Sequence, residues 1–114
     1  TACTAAYLHG AAWQAECLAY IVENRRYLEA RLRECVPDIV LPPQEGTYLA
    51  WLDFSAFPYR GQALDAFLEE RAGLWLSPGW EYGTGGEAFQ RMNLACSRET
   101  VARACDGLQR AFAG

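Results

Sequence analysis

The sequence predicts an α/β protein: a two-layer α/β sandwich in which a long N-terminal helix and two later helices pack on a small sheet of about three strands. Three observations carry that expectation. Residues 11–36 repeat apolar side chains at spacings of three, four and seven, which is the period of a helix face. Residues 47–54 are rich in β-branched and aromatic residues, and two further stretches of strand character follow after Gly73. From Ser97 onward the helical period returns. The 114 residues are the length of one domain, in which residues 1–36 form the helical region and residues 37–114 the remainder of the same domain.

In the long helix Trp13, Cys17, Ile21, Leu28, Leu32 and Cys35 line one face and are expected to be its buried stripe. Glu16, Glu23, Arg25, Arg26, Glu29 and Arg33 lie opposite, with Glu29 and Arg33 in the favourable i,i+4 order. Gly10 marks a bend, residues 2–9 form a further helical segment, and Pro37 ends the helix. Pro42, Pro43 and Gly46 punctuate a loop before the first strand. There Tyr48, Ala50, Leu52 and Phe54 point one way and Thr47, Leu49, Trp51 and Asp53 the other. Both sets are largely apolar, so both faces are expected to be covered. Residues 61–71 make a short helix with Leu64, Phe67 and Leu68 inward. Residues 74–77 form a short strand ended by Pro78-Gly79. A glycine-rich loop, 79–86, precedes a third strand over 89–95. Ser97 is placed to cap the last helix, with Glu99 in its first turn. Val101, Cys105, Leu108 and Phe112 form that helix's inner stripe.

Composition excludes several functions. The net charge of -4 opposes a nucleic-acid partner, whose phosphates require a basic face. No apolar run reaches the ~20 residues of a membrane span, so no membrane partner is expected. The five cysteines never fall in a C-x-x-C spacing and are odd in number. They read as reduced thiols of a cytoplasmic protein, mostly small core residues, rather than a metal site or disulfide framework. His9 is the one histidine; it reads as a solvent-facing or hydrogen-bonded helix residue, and no G-x-S-x-G elbow accompanies it. All ten basic residues are arginine, so chemistry that needs a lysine amine cannot occur within this chain alone. A codon bias that also enriches alanine gives the same absence. The chain begins at Thr1, and it is expected to be part of a longer protein.

The third strand carries the chemistry. Phe89, Arg91, Asn93 and Ala95 share one face, and Gln90, Met92 and Leu94 the other. An arginine amid an apolar strand is costly unless it is paired or faces a ligand. One arrangement pairs Arg91 with Asp53 or a glutamate across the sheet. The other offers its rigid fork of donors to a carboxylate, with Asn93 adding a contact or steadying the guanidinium. The glycine-rich loop lacks a phosphate-loop pattern, and Glu81 and Glu87 would repel phosphate. It reads either as a flap over a neighbouring site or as a plain connection between strands.

Three stretches, read together, point to a family: Gly46-Thr47-Tyr48-Leu49-Ala50-Trp51-Leu52-Asp53, Gly73-Leu74-Trp75-Leu76-Ser77-Pro78-Gly79 and the run from Tyr82 to Cys96 that contains Arg91-Met92-Asn93-Leu94-Ala95-Cys96. They resemble the C-terminal small domain of class I/II aminotransferase-like enzymes, which are fold-type I proteins dependent on pyridoxal 5'-phosphate. The motifs look most like the cystathionine β-lyase branch of the MalY/PatB type, in which Trp13, Tyr20 and Asn24 would lie on the domain-linking helix. Ser97 departs from the family pattern, where a proline commonly follows Ala-Cys.

The resemblance implies a small domain whose large, cofactor-binding partner domain carries the lysine. By itself the chain would bind no pyridoxal phosphate and be inert. Arg91 matches the arginine that grips the substrate α-carboxylate, Asn93 accompanies it, and Tyr82 lies in the segment that lines the cleft mouth. The substrate is then an amino acid. Holding its carboxylate at two points fixes the Cα–H bond in the orientation needed for proton loss. C–S β-elimination and amino-group transfer both start from that clamp, so a β-lyase and an aminotransferase are alternatives; a stand-alone interaction module without catalysis is a third. Trp75 and Trp80 are expected to pack between layers. Surfaces facing the missing domain would be apolar, and the isolated chain is expected to form a dimer or higher oligomer.

Overall fold

The structure is a computed structural model that describes residues 1–113. Helix α1 spans Ala2–His9 and α2 spans Ala11–Cys35. Gly10 joins them at a bend, where a Cβ would lie 2.4 Å from the Ala6 carbonyl oxygen. Strand β1 is Leu49–Asp53, α3 is Gly61–Phe67 and continues as a π-helical turn over Leu68–Ala72, and β2 is only Ser77–Pro78. A 3-10 turn over Gly79–Tyr82 leads towards β3, Phe89–Asn93, and α4 is Arg98–Phe112. The predicted α/β architecture and element order hold, with the sheet antiparallel throughout and ordered β1-β3-β2.

The core lies between one face of the sheet and the helices. Ala50 and Leu52 of β1, Met92 of β3, Leu64 and Leu68 of the α3 segment, Leu28 and Leu32 of α2, and Val101, Cys105 and Leu108 of α4 are buried together. Alternation along the strands sends every second side chain into this layer. Ser97 caps α4 by accepting the Thr100 N–H, and Arg31 of α2 pairs with Asp106 of α4 at 2.8 Å. That carboxylate holds the Arg31 guanidinium above its ordinary pKa. Gly107 lets α4 lie against the π-helical turn, because a Cβ there would stand 2.3 Å from the Ala72 carbonyl oxygen.

Several expectations need correction. Among the described residues no layer covers the second face of the sheet; Leu49, Trp51, Asp53, Phe89 and Arg91 on it are half-buried and Asn93 is exposed. The predicted stripe of α2 is buried only in its C-terminal half. There Asn24, Leu28 and Leu32 enter the core, whereas Trp13 is 72% exposed and Cys17 and Ile21 are half-buried. Helix α1 buries no residue, and Tyr7 and Leu8 stand in solvent. This helical arm stretches the molecule to 49 × 30 × 24 Å, with a radius of gyration of 15.8 Å, against about 13 Å for a compact chain of similar length. Strand β2 begins at Ser77 instead of Leu74, and Trp75, expected to pack, is 88% exposed. Of the cysteines, only Cys105 is fully buried. His9 is exposed, as read from the sequence.

Candidate functional site

The uncovered face of the sheet carries the candidate site. Arg91 lies in the middle of β3, directly across from Trp51 of β1 and Ser77 of β2. Its neighbours Gln90 and Met92 are buried in the core, so strand alternation fixes Arg91 on the open side. Trp51 stacks on Phe89 with ring centres 5.4 Å apart and an angle of 15°. Tyr82, 55% exposed, meets the edge of Trp51 at 6.1 Å. The Arg91 guanidinium carbon stands 5.0 Å from the centre of the Tyr82 ring. Tyr82 thus touches both the cation and an aromatic pair on the same face.

That cation has no counter-ion among the described residues. Its Nε is buried and has no hydrogen-bond partner. The Tyr82 ring face attracts a guanidinium by ~0.5–1 kcal/mol but does not satisfy an N–H. A buried unpaired donor costs ~1–3 kcal/mol. Pairing with Asp53 does not occur: the Asp53 carboxylate accepts the Ser55 N–H at 2.8 Å and the Ser55 hydroxyl. Asn93 does not steady the guanidinium either. Its Oδ1 accepts the Ala95 N–H at 2.8 Å and turns the chain after β3. Of the three site residues read from the sequence, the structure therefore joins Arg91 and Tyr82 and places Asn93 at the end of β3, with its Oδ1 bonded to the Ala95 N–H.

The glycine-rich segment forms the rim. A concavity of about 250 Å³ lies between Trp51, Tyr82, Phe89 and the backbone of residues 83–86. The segment is pinned at its base. A Cβ on Gly79 would stand 2.4 Å from the Gly86 carbonyl oxygen, and one on Gly86 would stand 2.1 Å from that of Gly79. Only two glycines allow that approach. Glu87 accepts the Gly85 N–H, and its own carbonyl accepts the Gly61 N–H at the start of α3. Trp51 and Phe89 were visible in the sequence only as members of an apolar face. Their place beside Arg91 depends on the β1–β3 register.

Among the described residues no group of His, Cys, Asp and Glu is placed to hold a metal ion, and no helix is long and apolar enough to cross a membrane. With ten arginines and no lysine, the chain supplies no lysine amine for a covalent bond to pyridoxal phosphate. The unpaired guanidinium fits a carboxylate.

The helix-on-sheet fold is that of the small domain in pyridoxal-phosphate enzymes of the aminotransferase type, which include C–S lyases and aminotransferases. No family model matches the sequence. Within that class the chain is homologous, over nearly its whole length, to MalY/PatB cystathionine β-lyases. Cystathionine β-lyase PatB of Bacillus subtilis is 38% identical over 110 residues, 96% of this chain and 28% of that protein. Protein MalY of Escherichia coli is 32% identical over 108 residues, 95% of this chain and 28% of that protein. Cystalysin of Treponema denticola, whose structure contains pyridoxal 5'-phosphate, superposes with a TM-score of 0.90 at 30% identity, over 95% of this chain and 27% of that one. The chain therefore spans about 28% of the length of the curated relatives it matches.

Proposed function

We propose that this chain is the substrate-carboxylate-binding domain of a pyridoxal-phosphate-dependent C–S β-lyase, acting on an amino acid of the cystathionine or cysteine type. The observation that carries the reading is Arg91: among the described residues its guanidinium has no counter-ion and its buried Nε no partner, and it lies on the open face of the sheet. Its planar fork binds both oxygens of a carboxylate, which fixes rotation about the bond to Cα as well as position. The Tyr82 ring flanks the guanidinium and limits its swing. Trp51 and Phe89 keep the adjoining surface apolar, which strengthens the charge-assisted contact. In such an enzyme the cofactor supplies the electron sink for bond breaking, and residues outside this chain hold it. Alone, the chain is inert.

The same reading assigns the uncovered apolar surface to the missing cofactor-binding domain. The arm leaves Tyr7, Leu8, Trp13 and Leu18 exposed together, and exposed apolar patches mark interaction surfaces. Two copies of the isolated chain would associate through them. The name of PatB of Bacillus subtilis as a cystathionine β-lyase supports the lyase assignment, and cystalysin's bound pyridoxal 5'-phosphate supports the cofactor.

The deciding experiment is Arg91→Lys in the enzyme that contains this chain. Lysine keeps the charge and loses the fork. Losing one charge-assisted hydrogen bond of ~1.5–3 kcal/mol lowers kcat/KM by about 10- to 100-fold, with KM for the amino acid raised. Kinetics within twofold of the parent would return Arg91 to a structural role.

A further inference from the structure

The two residues that form the candidate clamp belong to different elements, and each sits close to a residue held by one carboxylate. Asp65 of α3 accepts a hydrogen bond from Gln90 Nε2 at 2.6 Å on Oδ1 and from Trp80 Nε1 at 2.8 Å on Oδ2. Gln90 immediately precedes Arg91 in β3 and is 1% exposed. Trp80 lies two residues before Tyr82 in the same 3-10 turn. Gln90 also stands opposite Pro78, the residue that leads into that turn. The Asp65 bonds therefore fix β3 and the turn relative to one another, from the side of the sheet opposite the guanidinium.

The donor chemistry makes the bond set directional. The tryptophan indole nitrogen only donates, and an ionised aspartate only accepts. Each Asp65 oxygen meets one donor, and bonds to an ionised acceptor are stronger than neutral ones. Gln90 has its amide nitrogen committed to Asp65. No ion pair involves Asp65 among the described residues. The carboxylate is held by these two neutral donors instead, at a half-buried position.

We propose that Asp65 is a positioning residue for the Arg91–Tyr82 pair, setting where the guanidinium lies against the ring and thus where its donors aim. Its consequence for ligand binding rests on the reading that Arg91 receives a substrate carboxylate. Asp65 touches neither the ligand face nor Arg91; it acts through Gln90 and Trp80.

The test reads geometry directly, by NMR of the 114-residue chain. The Tyr82 ring, 5.0 Å from the guanidinium carbon, is expected to shift the Arg91 side-chain Hε resonance upfield, and Tyr82→Leu is expected to remove that shift and identify the signal. Asp65→Ala is expected to abolish at least half of the shift while methyl signals of Leu52 and Leu108 in the core stay in place. Trp80→Phe, which deletes one donor and keeps an aromatic ring, and Asp65→Asn, which keeps one acceptor, are expected to lose less. Should Asp65→Ala fail to fold, those two milder variants decide. An unchanged Arg91 shift in the folded variants overturns the proposal. L-alanine added in parallel separates the two readings: a wild-type Hε that moves saturably, with about tenfold more L-alanine needed in Asp65→Asn, supports both. A shift that collapses in the variants beside a wild type indifferent to L-alanine keeps the positioning role and removes the carboxylate clamp. In the enzyme that contains the chain, Asp65→Asn is expected to raise KM about tenfold with kcat changed less than threefold; a fall in kcat with KM unchanged counts against positioning.

Discussion

Replacing Asn24 by leucine removes the one side chain that ties the long helix to both the end of β3 and the start of α4. Asn24 is fully buried. Its Nδ2 donates to the Leu94 carbonyl at 2.9 Å and the Cys96 carbonyl at 2.8 Å, and its Oδ1 accepts from Arg98 Nε at 2.6 Å. Leucine has the same branched shape and number of side-chain heavy atoms, so the change is chiefly in polarity, with its larger methyl groups adding some overpacking. It strands two main-chain acceptors and one guanidinium donor. Each stranded group costs ~1–3 kcal/mol, with part of the Arg98 penalty relieved by water because that residue is only half-buried. The expected loss is about 3–5 kcal/mol, a large share of the ~5–15 kcal/mol of a typical domain. Asn24→Asp separates the contributions. It keeps the acceptor for Arg98 but sets a carboxylate oxygen against two carbonyls, so at neutral pH it should be no milder than leucine. Urea unfolding followed by far-UV circular dichroism measures both variants. A leucine variant within 1 kcal/mol of wild type would show that the three bonds contribute nothing net, and the account of how β3 is anchored would fail.

Two further predictions concern packing and pH. Gly107→Ala should destabilise the chain by about 1–3 kcal/mol, although alanine in a helix interior ordinarily gains ~1 kcal/mol, because the new methyl would meet the Ala72 carbonyl at 2.3 Å; a raised melting temperature would refute the close approach of α4. Burial pushes the Cys105 thiol up to about 11 from an ordinary value of 9.0. Above pH 9 the unfolded thiol gives up its proton while the folded one keeps it, so stability is full below pH 9 and is lost as pH rises towards 11, by on the order of 2 kcal/mol. Comparing urea midpoints at pH 8 and pH 10 for wild type and Cys105→Ala isolates this contribution; an identical pH dependence in both would contradict it.

Much of the fold was legible because it is local. The stripe Val101, Cys105, Leu108 on α4, the cap at Ser97 and the alternation that puts Gln90 inward and Arg91 outward are all periodicities of a few residues. The motifs around Arg91 and Tyr82 carried the family resemblance, which the relatives bear out. What the sequence hid was set by distant pairing. The order β1-β3-β2 brings Trp51 beside Arg91 across forty positions, and Asp65 reaches Gln90 across 25. Asn93 stands apart from the guanidinium for the opposite reason: its Oδ1 has a local partner, the Ala95 N–H two residues on, and a short polar side chain at a strand end readily takes such a bond.

The misread apolar positions share a physical cause. Trp13, Cys17 and Ile21 repeat with helical period, and Leu49 and Trp51 alternate with strand period, as core residues do. Periodicity reports that a surface is built to leave water; it does not report what covers it. Within this chain Leu28, Leu32 and Leu52 are covered by its own helices and sheet, and Trp13 and Trp51 are not. The apolar surface left over lies on the helical arm and on the sheet face that also holds the unpaired guanidinium. A surface made only for adhesion gains nothing from an arginine without a counter-ion, because a charge left unpaired in a dry interface weakens it. A surface that closes over a small anion gains from both features: apolar walls exclude water, and the guanidinium supplies the bond that the excluded water would have made. The coincidence of the two on one face is what favours a ligand site at a domain boundary over a simple association patch.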